Sequence, residues 1–163
     1  MNELFYIRKG KPASNFSIGR FQLKPSFIEK LEHTIRKDTV LSRQYKHIYQ
    51  YHTNNTKHKR KKRIERLKSY KWQIRYLAVF TKVVESRFSV NDTNNTMTGK
   101  IKFFSSALNH DFLCDSSEII QWSNKKSFPY GMKYSNPFSY ADVAVYFYKN
   151  DYQKISKRGL NLF

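Results

Sequence analysis

A polar segment near the start of the chain carries residues whose types and spacing suit ligand binding. Its order is Gly-x-x-Gln-Leu-x-Pro, from Gly19 through Gln22 to Pro25. Glycine lets the backbone approach a ligand closely or adopt a positive φ, and the carboxamide of Gln22 offers donors and an acceptor to hydroxyl and N-acetyl groups. The alternative is that Gly19 and Pro25 only shape a loop and that Gln22 is an ordinary surface residue.

Two later segments also carry suggestive residue patterns, and the order of all three segments along the chain adds to their significance. They are Ser106-Ala107-Leu108-Asn109-His110-Asp111 and Pro137-Phe138-Ser139-Tyr140-Ala141-Asp142-Val143. With these three segments, the chain resembles the lysozyme-like superfamily, which includes soluble lytic transglycosylases and goose-type lysozymes. The resemblance covers residues 17–148 and implies a helical fold with a cleft for amino-sugar strands such as peptidoglycan.

The resemblance also implies roles for individual residues. Gln22 and Asn109 would hold the sugar, Gly19 would give access to the backbone, Tyr140 would flank the cleft, and Ser17 belongs to the same binding set. The second segment departs from the family's Ala-Tyr-Asn-Ala-Gly pattern, because Leu replaces Tyr and His-Asp replaces Ala-Gly.

Chemistry of the lysozyme-like kind needs a carboxylic acid that stays protonated above the glycosidic oxygen. Glu3 is the only acid before Gly19, and its spacing to Gln22 suits the family. However, two residues cannot build the helix that should bury the acid, and Leu4 stands where the family usually has Ser. We therefore expect Met1 to be an internal methionine, with the true catalytic Glu lost upstream. Glu3 would then be a solvated residue at a helix start.

The charge of the chain favours anionic partners. Lys and Arg number 31 against 12 Asp and Glu, which gives a formal net charge of +19. Such a field attracts nucleic acid, acidic membrane surfaces or anionic cell-wall polymers. Residues encoded by AT-rich codons are abundant, so genome composition is an alternative explanation for part of the charge.

One charge run is denser than any other. It contains Lys57, Lys59, Arg60, Lys61, Lys62 and Arg63. The run could grip the phosphates of nucleic acid or an anionic envelope, and it also has the composition of a nuclear localisation patch. A solvated loop is the simpler interpretation. Nearby aromatic residues suit stacking on bases and on sugars equally well.

Metal and covalent chemistry find little support in the sequence. The histidines are scattered without a Cys or Glu at ligand spacing, so we expect no metal and no cofactor. Cys114 has His110 nearby, and a Cys-His nucleophile is conceivable. A small, half-buried thiol is the simpler interpretation of this cysteine.

Length and composition predict one domain over residues 1–163. A single cysteine excludes an intrachain disulfide. No apolar run reaches the length of a membrane span, and residues 1–10 lack the apolar core of a signal peptide. A cell-wall substrate implies a periplasmic or extracellular location if the full-length protein carries a signal.

The pattern of apolar residues predicts an all-α protein. A first helix ends at Lys9-Gly10, a second begins at a capping box on Ser26, and residues 38–57 are ambiguous. The apolar stripe of the second helix comprises Phe27, Ile28, Leu31 and Ile35. One long helix is predicted over residues 60–88, with a stripe of Leu67, Tyr70, Ile74, Leu77, Thr81, Val84 and Phe88.

The second half of the chain is predicted to begin with a surface loop over residues 91–99. A short helix follows over 100–108, and a capping box on Asp115 starts the next helix. Ser139-Tyr140-Ala141-Asp142 caps a last helix that ends at about Tyr148. A long connection between them contains Phe128-Pro129-Tyr130-Gly131 and Asn136-Pro137.

These observations favour a glycan-strand-cleaving domain that acts through one general-acid Glu. Two alternatives remain open. One is a basic helical protein that binds nucleic acid, for which Gln22 would be irrelevant. The other is a relative that binds glycans but has lost catalysis.

Overall fold

The chain is described by a computed structural model over residues 2–11, 14, 16–86, 96–126 and 137–152. These residues form α-helices and one short π-helix, and Ile18 and Leu23 pair in an antiparallel β-bridge. No strand occurs among them, which confirms the prediction of an all-α protein. Within these residues, no helix combines the length and the apolar character that crossing a membrane requires. The predicted turns at 128–131 and at Asn136 lie outside the described residues.

The chain divides into two compact units, Met1–Val83 and Val84–Phe163. The prediction of one domain over residues 1–163 stays a prediction. The helices of the first unit are α1 (Asn2–Lys9), α2 (Pro25–Lys37), α3 (Thr39–Gln44), α4 (Lys46–Tyr49), α5 (Thr56–Lys68) and α6 (Tyr70–Glu85), which ends two residues past the boundary. Those of the second unit are α7 (Met97–Asn109), α8 (Ser116–Ser123), α9 (Tyr140–Phe147) and the π-helix Tyr148–Tyr152.

Helix α2 supplies the centre of the first unit's core. Its residues Ile28, Leu31 and Ile35 lie on one face and are fully buried, whereas Phe27 is half-buried. The predicted stripe is therefore confirmed in its three aliphatic members. Each such side chain contributes roughly 1.5–3 kcal/mol on burial, and α2 packs against α3, α4 and α5. The ambiguous stretch at 38–57 contains α3 and α4, and Asp38 caps α3 by accepting from two backbone amides at 2.9 Å.

The prediction of one long helix over 60–88 is wrong, because the helix is interrupted at Ser69. This residue is extended, with φ −86° and ψ 121°, and it ends α5 one residue before α6 begins. Its amide donates to the carbonyl of Arg66 at 3.1 Å, and its own carbonyl accepts from Gln73 at 3.0 Å. Ser69 thus closes one helix and opens the next.

The break also changes which face of α6 is buried. Tyr70 and Thr81 of the predicted stripe are exposed, and Ile74 and Leu77 are only half-buried. Leu67 and Val84 are buried as predicted, and Phe88 lies outside the described residues. The face that is buried instead consists of Gln73, Tyr76, Val79, Phe80 and Val83.

Three helix starts test the predicted capping boxes. The box on Ser139 is confirmed, because its hydroxyl accepts from the amide of Asp142 at 3.0 Å and the Asp142 carboxylate accepts from the Ser139 amide at 3.2 Å. The box on Ser26 is wrong, since α2 begins at Pro25, whose missing N–H needs no cap. At α8 the predicted start at Asp115 is right, but its side chain makes no capping bond.

In the second unit, α7 packs against both α8 and α9. The hydroxyl of Thr96 caps α7 by accepting from the amide of Gly99 at 3.0 Å. The helix therefore begins at Met97, so the last three residues of the predicted 91–99 loop are helical. Residues 91–95 lie outside the described residues. Phe103 and Ala107 of α7 are buried, as are Ile119 of α8 and Val145 of α9.

Candidate functional site

The Gly-x-x-Gln segment forms a tight hairpin turn in the first unit. Ile18 and Leu23 are buried and pair through two backbone hydrogen bonds of 2.9 and 3.1 Å. Between them, the amide of Gln22 donates to the carbonyl of Gly19 at 3.2 Å. Gly19 adopts φ +75°, and Gln22 adopts φ +51°. A left-handed backbone costs a residue with a side chain roughly 1–2 kcal/mol, so the surrounding contacts must hold Gln22 in place.

Gln73 of α6 anchors the turn at Phe21, the residue before Gln22. The carboxamide of Gln73 is buried, accepts from the amide of Phe21 at 3.0 Å and donates to the carbonyl of Leu67 at 2.7 Å. The carbonyl of Leu67 is one of those that the break at Ser69 leaves without a helical partner. One buried amide therefore fixes the turn to the junction between α5 and α6.

Gly19 is required by this arrangement. A Cβ at position 19 would overlap the carboxamide of Gln73, and φ +75° favours glycine in any case. The positive φ expected from the sequence is present. The close approach expected for a ligand is made by Gln73, which the sequence analysis missed. A signal for it exists, because Gln73 shares a helical face with Tyr76, Phe80 and Val83.

The tip of the turn presents a mixed aromatic and polar surface. The exposed side chain of Gln22 uses one N–H to donate to the carbonyl of Gly19 at 2.7 Å. Phe21 stacks on Tyr70, with ring centroids 5.9 Å apart and an interplanar angle of 20°. The guanidinium of Arg20 lies 5.8 Å from the centre of the Tyr70 ring. Phe21 and Tyr70 are both exposed, so ring faces and an amide lie together at the surface.

The other predicted members of the binding set lie at several places. Ser17 is exposed and directly precedes the bridge at Ile18. In the second unit, Asn109 is the last residue of α7 and Tyr140 is the first residue of α9, and both are half-buried. The structure brings Gly19 and Gln22 into contact within one turn, whereas the remaining members belong to other elements.

Glu3 lies in the first turn of α1 and forms a salt bridge with Lys68 at 2.8 Å. Its side chain is 40% exposed. A general acid of the lysozyme type works in partly apolar surroundings that favour its protonated form. The surroundings of Glu3 are those of a surface ion pair, so its assignment as the catalytic acid stays a prediction.

The basic run forms most of α5, and its cations have different environments. Lys57 and Lys61 are exposed, and Lys59 is half-buried. The interpretation of the run as a loop is wrong, because Asn55 caps the helix by accepting from two backbone amides at 2.9 and 3.2 Å. This cap offsets the unfavourable position of cations at a helix N-terminus.

Three members of the run are engaged within the protein. Lys62 pairs with Glu65 at 2.9 Å. Arg60 lies against Gly10, where a Cβ would be 2.6 Å from its guanidinium, and donates to the carbonyl of Arg8 at 3.4 Å. Arg63 is buried, so including it among the phosphate-binding residues is wrong for the folded chain.

Arg63 is the centre of a buried polar network. Its guanidinium donates to both carboxylate oxygens of Glu32 at 3.2 and 2.6 Å, and to the Tyr6 hydroxyl at 2.6 Å. Tyr6 donates in turn to Glu29 at 2.7 Å, and Tyr51 donates to Glu32. Burial alone would lower the pKa of Arg63, but the hydrogen bonds and charge of Glu32 raise it above its ordinary value.

Burial is the largest influence on the pKa values of the two tyrosines in this network. It raises the pKa of Tyr6 above the ordinary tyrosine range, against the opposing charge of Arg63. The pKa of Tyr51 is raised for the same reason, with a further contribution from the neighbouring Glu32 charge. Both hydroxyls therefore stay protonated and act as hydrogen-bond donors in the interior.

A shallow groove of about 520 Å³ lies beside the start of α5. Arg36 and Lys59 supply positive charge to its wall, Tyr49 supplies a ring, and His52 adopts φ +49°. The guanidinium of Arg36 lies 4.9 Å from the centre of the Tyr49 ring and donates to the Tyr49 carbonyl at 3.2 Å. The groove therefore has the charge of an anion-binding surface.

A cluster of possible metal ligands occurs in the second unit. One ligand atom each from His110, Cys114 and Glu118 lies within 4.8 Å of the others. These three residues were not expected from the sequence to share a site, because they span a helix end, a turn and the next helix. The regular four-residue spacing is the signal that could have found it.

No protein-family model, no curated protein and no solved structure matches this chain. The lysozyme-like resemblance therefore rests on the three sequence segments alone.

Proposed function

We propose that this chain is a lysozyme-like helical domain that binds β-1,4-linked amino-sugar strands such as peptidoglycan. The observation that carries the proposal is the fixed turn over residues 19–22. It holds the carboxamide of Gln22 at the surface beside the stacked rings of Phe21 and Tyr70. A binding site is typically built in this way, from apolar surface and a few well-placed polar groups.

The chemistry of the turn suits an N-acetylated sugar. The amide of Gln22 retains a second N–H and an acceptor oxygen, which can pair with hydroxyl or N-acetyl groups. The exposed rings offer apolar faces for the sugar ring. Because Gln73 fixes the backbone from the interior, the turn loses little conformational freedom on binding, which favours affinity.

The lysozyme-like resemblance also implies sugar-binding roles for Asn109 and Tyr140, and Ser17 directly precedes the bridge at Ile18. The net charge of +19 attracts the domain to an anionic envelope, an effect that weakens as salt is added. A peptidoglycan substrate places the protein in the periplasm or outside the cell.

Sedimentation with purified peptidoglycan at high salt tests the proposal, since salt suppresses binding through charge alone. The informative variant is Gln22→Gly, because glycine accepts φ +51° and the carboxamide is lost. We expect affinity to fall about three- to tenfold, as for the loss of one or two hydrogen bonds. The matched control is His52→Gly, the other non-glycine position with positive φ among the described residues. Equal binding by both variants would contradict the proposal.

Cleavage is tested separately at Glu3, the candidate acid whose spacing to Gln22 suits the family. Release of soluble fragments from peptidoglycan is compared between the unmodified chain and Glu3→Gln, with masses identifying anhydro products. Glu65→Gln is the control, because Glu65 forms a similar exposed pair with Lys62. Loss of release in Glu3→Gln alone assigns catalysis to Glu3. Binding without release by the unmodified chain identifies a catalytically inactive glycan-binding relative.

The exposed lysines of α5 favour a second candidate function, the binding of nucleic acid. Lys57 and Lys61 face solvent, and Lys59 lines the groove with Arg36. Fluorescence anisotropy with a labelled RNA or DNA across a salt series measures the number of phosphates that the protein neutralises. Changing Lys57, Lys59 and Lys61 to Ala together should reduce the salt slope on duplex DNA by about 0.9 for each phosphate that is no longer neutralised. Lys71→Ala, at an exposed position on α6, is the control. An unchanged slope in the triple variant contradicts this function.

A further inference from the structure

The backbone of the segment that joins α7 to α8 is held by local hydrogen bonds. His110 follows α7, and its amide donates to the carbonyl of Ser106 at 2.8 Å. The carboxylate of Asp111 then accepts from the amide of Leu113 at 2.9 Å, and its carbonyl accepts from the amide of Cys114 at 3.3 Å. The ring of Phe112 is buried beneath this turn.

Three ligand-forming side chains converge on one side of that segment. The Nε2 atom of His110 lies 2.9 Å from an Oε1 oxygen of Glu118, which belongs to the first turn of α8. Cys114, between them in the chain, is half-buried. One ligand atom from each of the three residues lies within 4.8 Å of the others, so small side-chain rotations can place all three around one ion.

The imidazole of His110 is held in orientation by Trp122. The two rings stack with centroids 4.1 Å apart and an interplanar angle of 14°. Lys125 places its ammonium 4.2 Å from the centre of the same indole ring. Because Trp122 lies one helical turn after Glu118, the helix that carries the carboxylate also orients the imidazole. Such fixed orientation of a ligand ring is a feature of protein metal sites.

We propose that His110, Cys114 and Glu118 bind one zinc ion, with a fourth position left for water or for a ligand from another molecule. The donor set of one nitrogen, one sulfur and one oxygen suits the borderline-soft Zn²⁺, which prefers tetrahedral sites of this kind. The cysteine thiol loses its proton to solvent as the zinc–sulfur bond forms. A thiolate and a carboxylate then balance the charge of the ion.

The site would join the end of α7 to the start of α8 within the second unit. It is independent of the glycan-binding turn, because none of its residues belongs to the first unit. A failure of the zinc proposal therefore leaves the proposed binding by the turn over residues 19–22 untouched, and the reverse also holds.

Zinc binding by the full chain tests the proposal, measured by competition with a chromophoric chelator. We expect one Zn²⁺ per chain, with affinity reduced at least about tenfold in Cys114→Ser and in Glu118→Gln. His33→Gln, at an exposed histidine of α2, should bind as the unmodified chain does. Circular dichroism of each variant establishes that the helices are intact.

Cobalt provides a second readout that depends on the sulfur. The Co²⁺-loaded chain should show a thiolate-to-metal charge-transfer band, and Cys114→Ser should lack it. In a Trp72→Phe background, Trp122 is the remaining tryptophan, and Co²⁺ should quench its fluorescence. Binding that is absent, that is retained in Cys114→Ser and Glu118→Gln, or that lacks the thiolate band would overturn the proposal.

Discussion

The two units of the molecule hold their polar groups in different ways. Among the described residues, the buried charged side chains are Arg63 and Glu32, and both belong to the first unit together with the buried amide of Gln73. In the second unit, an ion pair joins Lys102 to Asp142 at 3.2 Å, with side chains 34% and 43% exposed. An interior polar group that loses its partner is left unsolvated, whereas water replaces a lost partner at the surface. Similar ion pairs should therefore differ greatly in what their loss costs.

The largest effect is expected at Arg63. The substitution Arg63→Met leaves the carboxylate of Glu32 buried without its bidentate partner, and we expect a loss of about 3–5 kcal/mol of unfolding free energy. Urea unfolding measures this change. Lys61→Met, at an exposed position of the same helix, should change stability by less than about 0.5 kcal/mol. Equal effects of the two substitutions on the free energy of unfolding would contradict the expected difference between buried and exposed cations.

A double substitution sharpens this result. Arg63→Met combined with Glu32→Met removes the charge that the single change strands in the interior. The pair should therefore be less destabilising than the sum of its parts, since a hydrophobic replacement of a buried ion pair is often tolerated. Strict additivity would mean that the two side chains do not act as a pair.

An intermediate effect is expected at Gly19. The substitution Gly19→Ala places a methyl group on the carboxamide of Gln73 and on a backbone with φ +75°. We expect a cost of about 2–3 kcal/mol from backbone strain and weakened buried hydrogen bonds, measured by urea unfolding. In a Gln73→Ala background the added cost should shrink, because the overlap is removed. Gly99→Ala within α7 serves as the control and should be neutral or stabilising.

The smallest effect is expected in the second unit and should depend on pH. Burial tends to raise the pKa of Asp142, but hydrogen bonds from Ser139 and the charge of Lys102 lower it below its ordinary value. A lowered pKa in the folded state stabilises the protein above the unfolded pKa, and this contribution disappears as pH falls through the folded value. Asp142→Asn should therefore cost roughly 0.5 kcal/mol near neutral pH.

The same substitution should have no effect once the pH is below the lowered folded pKa of Asp142, where the carboxyl group is protonated in both the folded and the unfolded chain. Urea unfolding across this pH range measures the difference, with Asp151→Asn as a control at an exposed position. A cost that persists at low pH would show that the carboxylate charge is not its source.

Features that depend on neighbours in the chain were predictable from the sequence. The Ser139–Asp142 box, the helix end at Gly10 and the aliphatic stripe of α2 each depend on residues a few positions apart. The break at Ser69 was not predictable in this way. It is compensated by side chains from other elements, such as the carboxamide of Gln73 on the Leu67 carbonyl, and it shifts the buried face of α6.

The same distinction applies to the candidate sites. The turn at 19–22 and its positive φ at Gly19 follow from a local motif, but its anchor on Gln73 lies 52 residues from Phe21 in the chain. Arg63 is one basic residue among many in the sequence, and its burial depends on partners from other helices, namely Glu32, Glu29 and Tyr6. A charge run therefore predicts the sign of a surface, not which of its cations can reach a ligand.

Calorimetric titration of the chain with an uncharged β-1,4-linked N-acetylglucosamine oligosaccharide tests the glycan proposal most directly, because such a ligand cannot bind through the net charge of +19. Gln22→Gly is measured beside the unmodified chain, with His52→Gly as the control. We predict saturable binding that weakens about three- to tenfold in Gln22→Gly and is unchanged in His52→Gly. Absence of binding, or binding that is the same in all three proteins, would contradict the account.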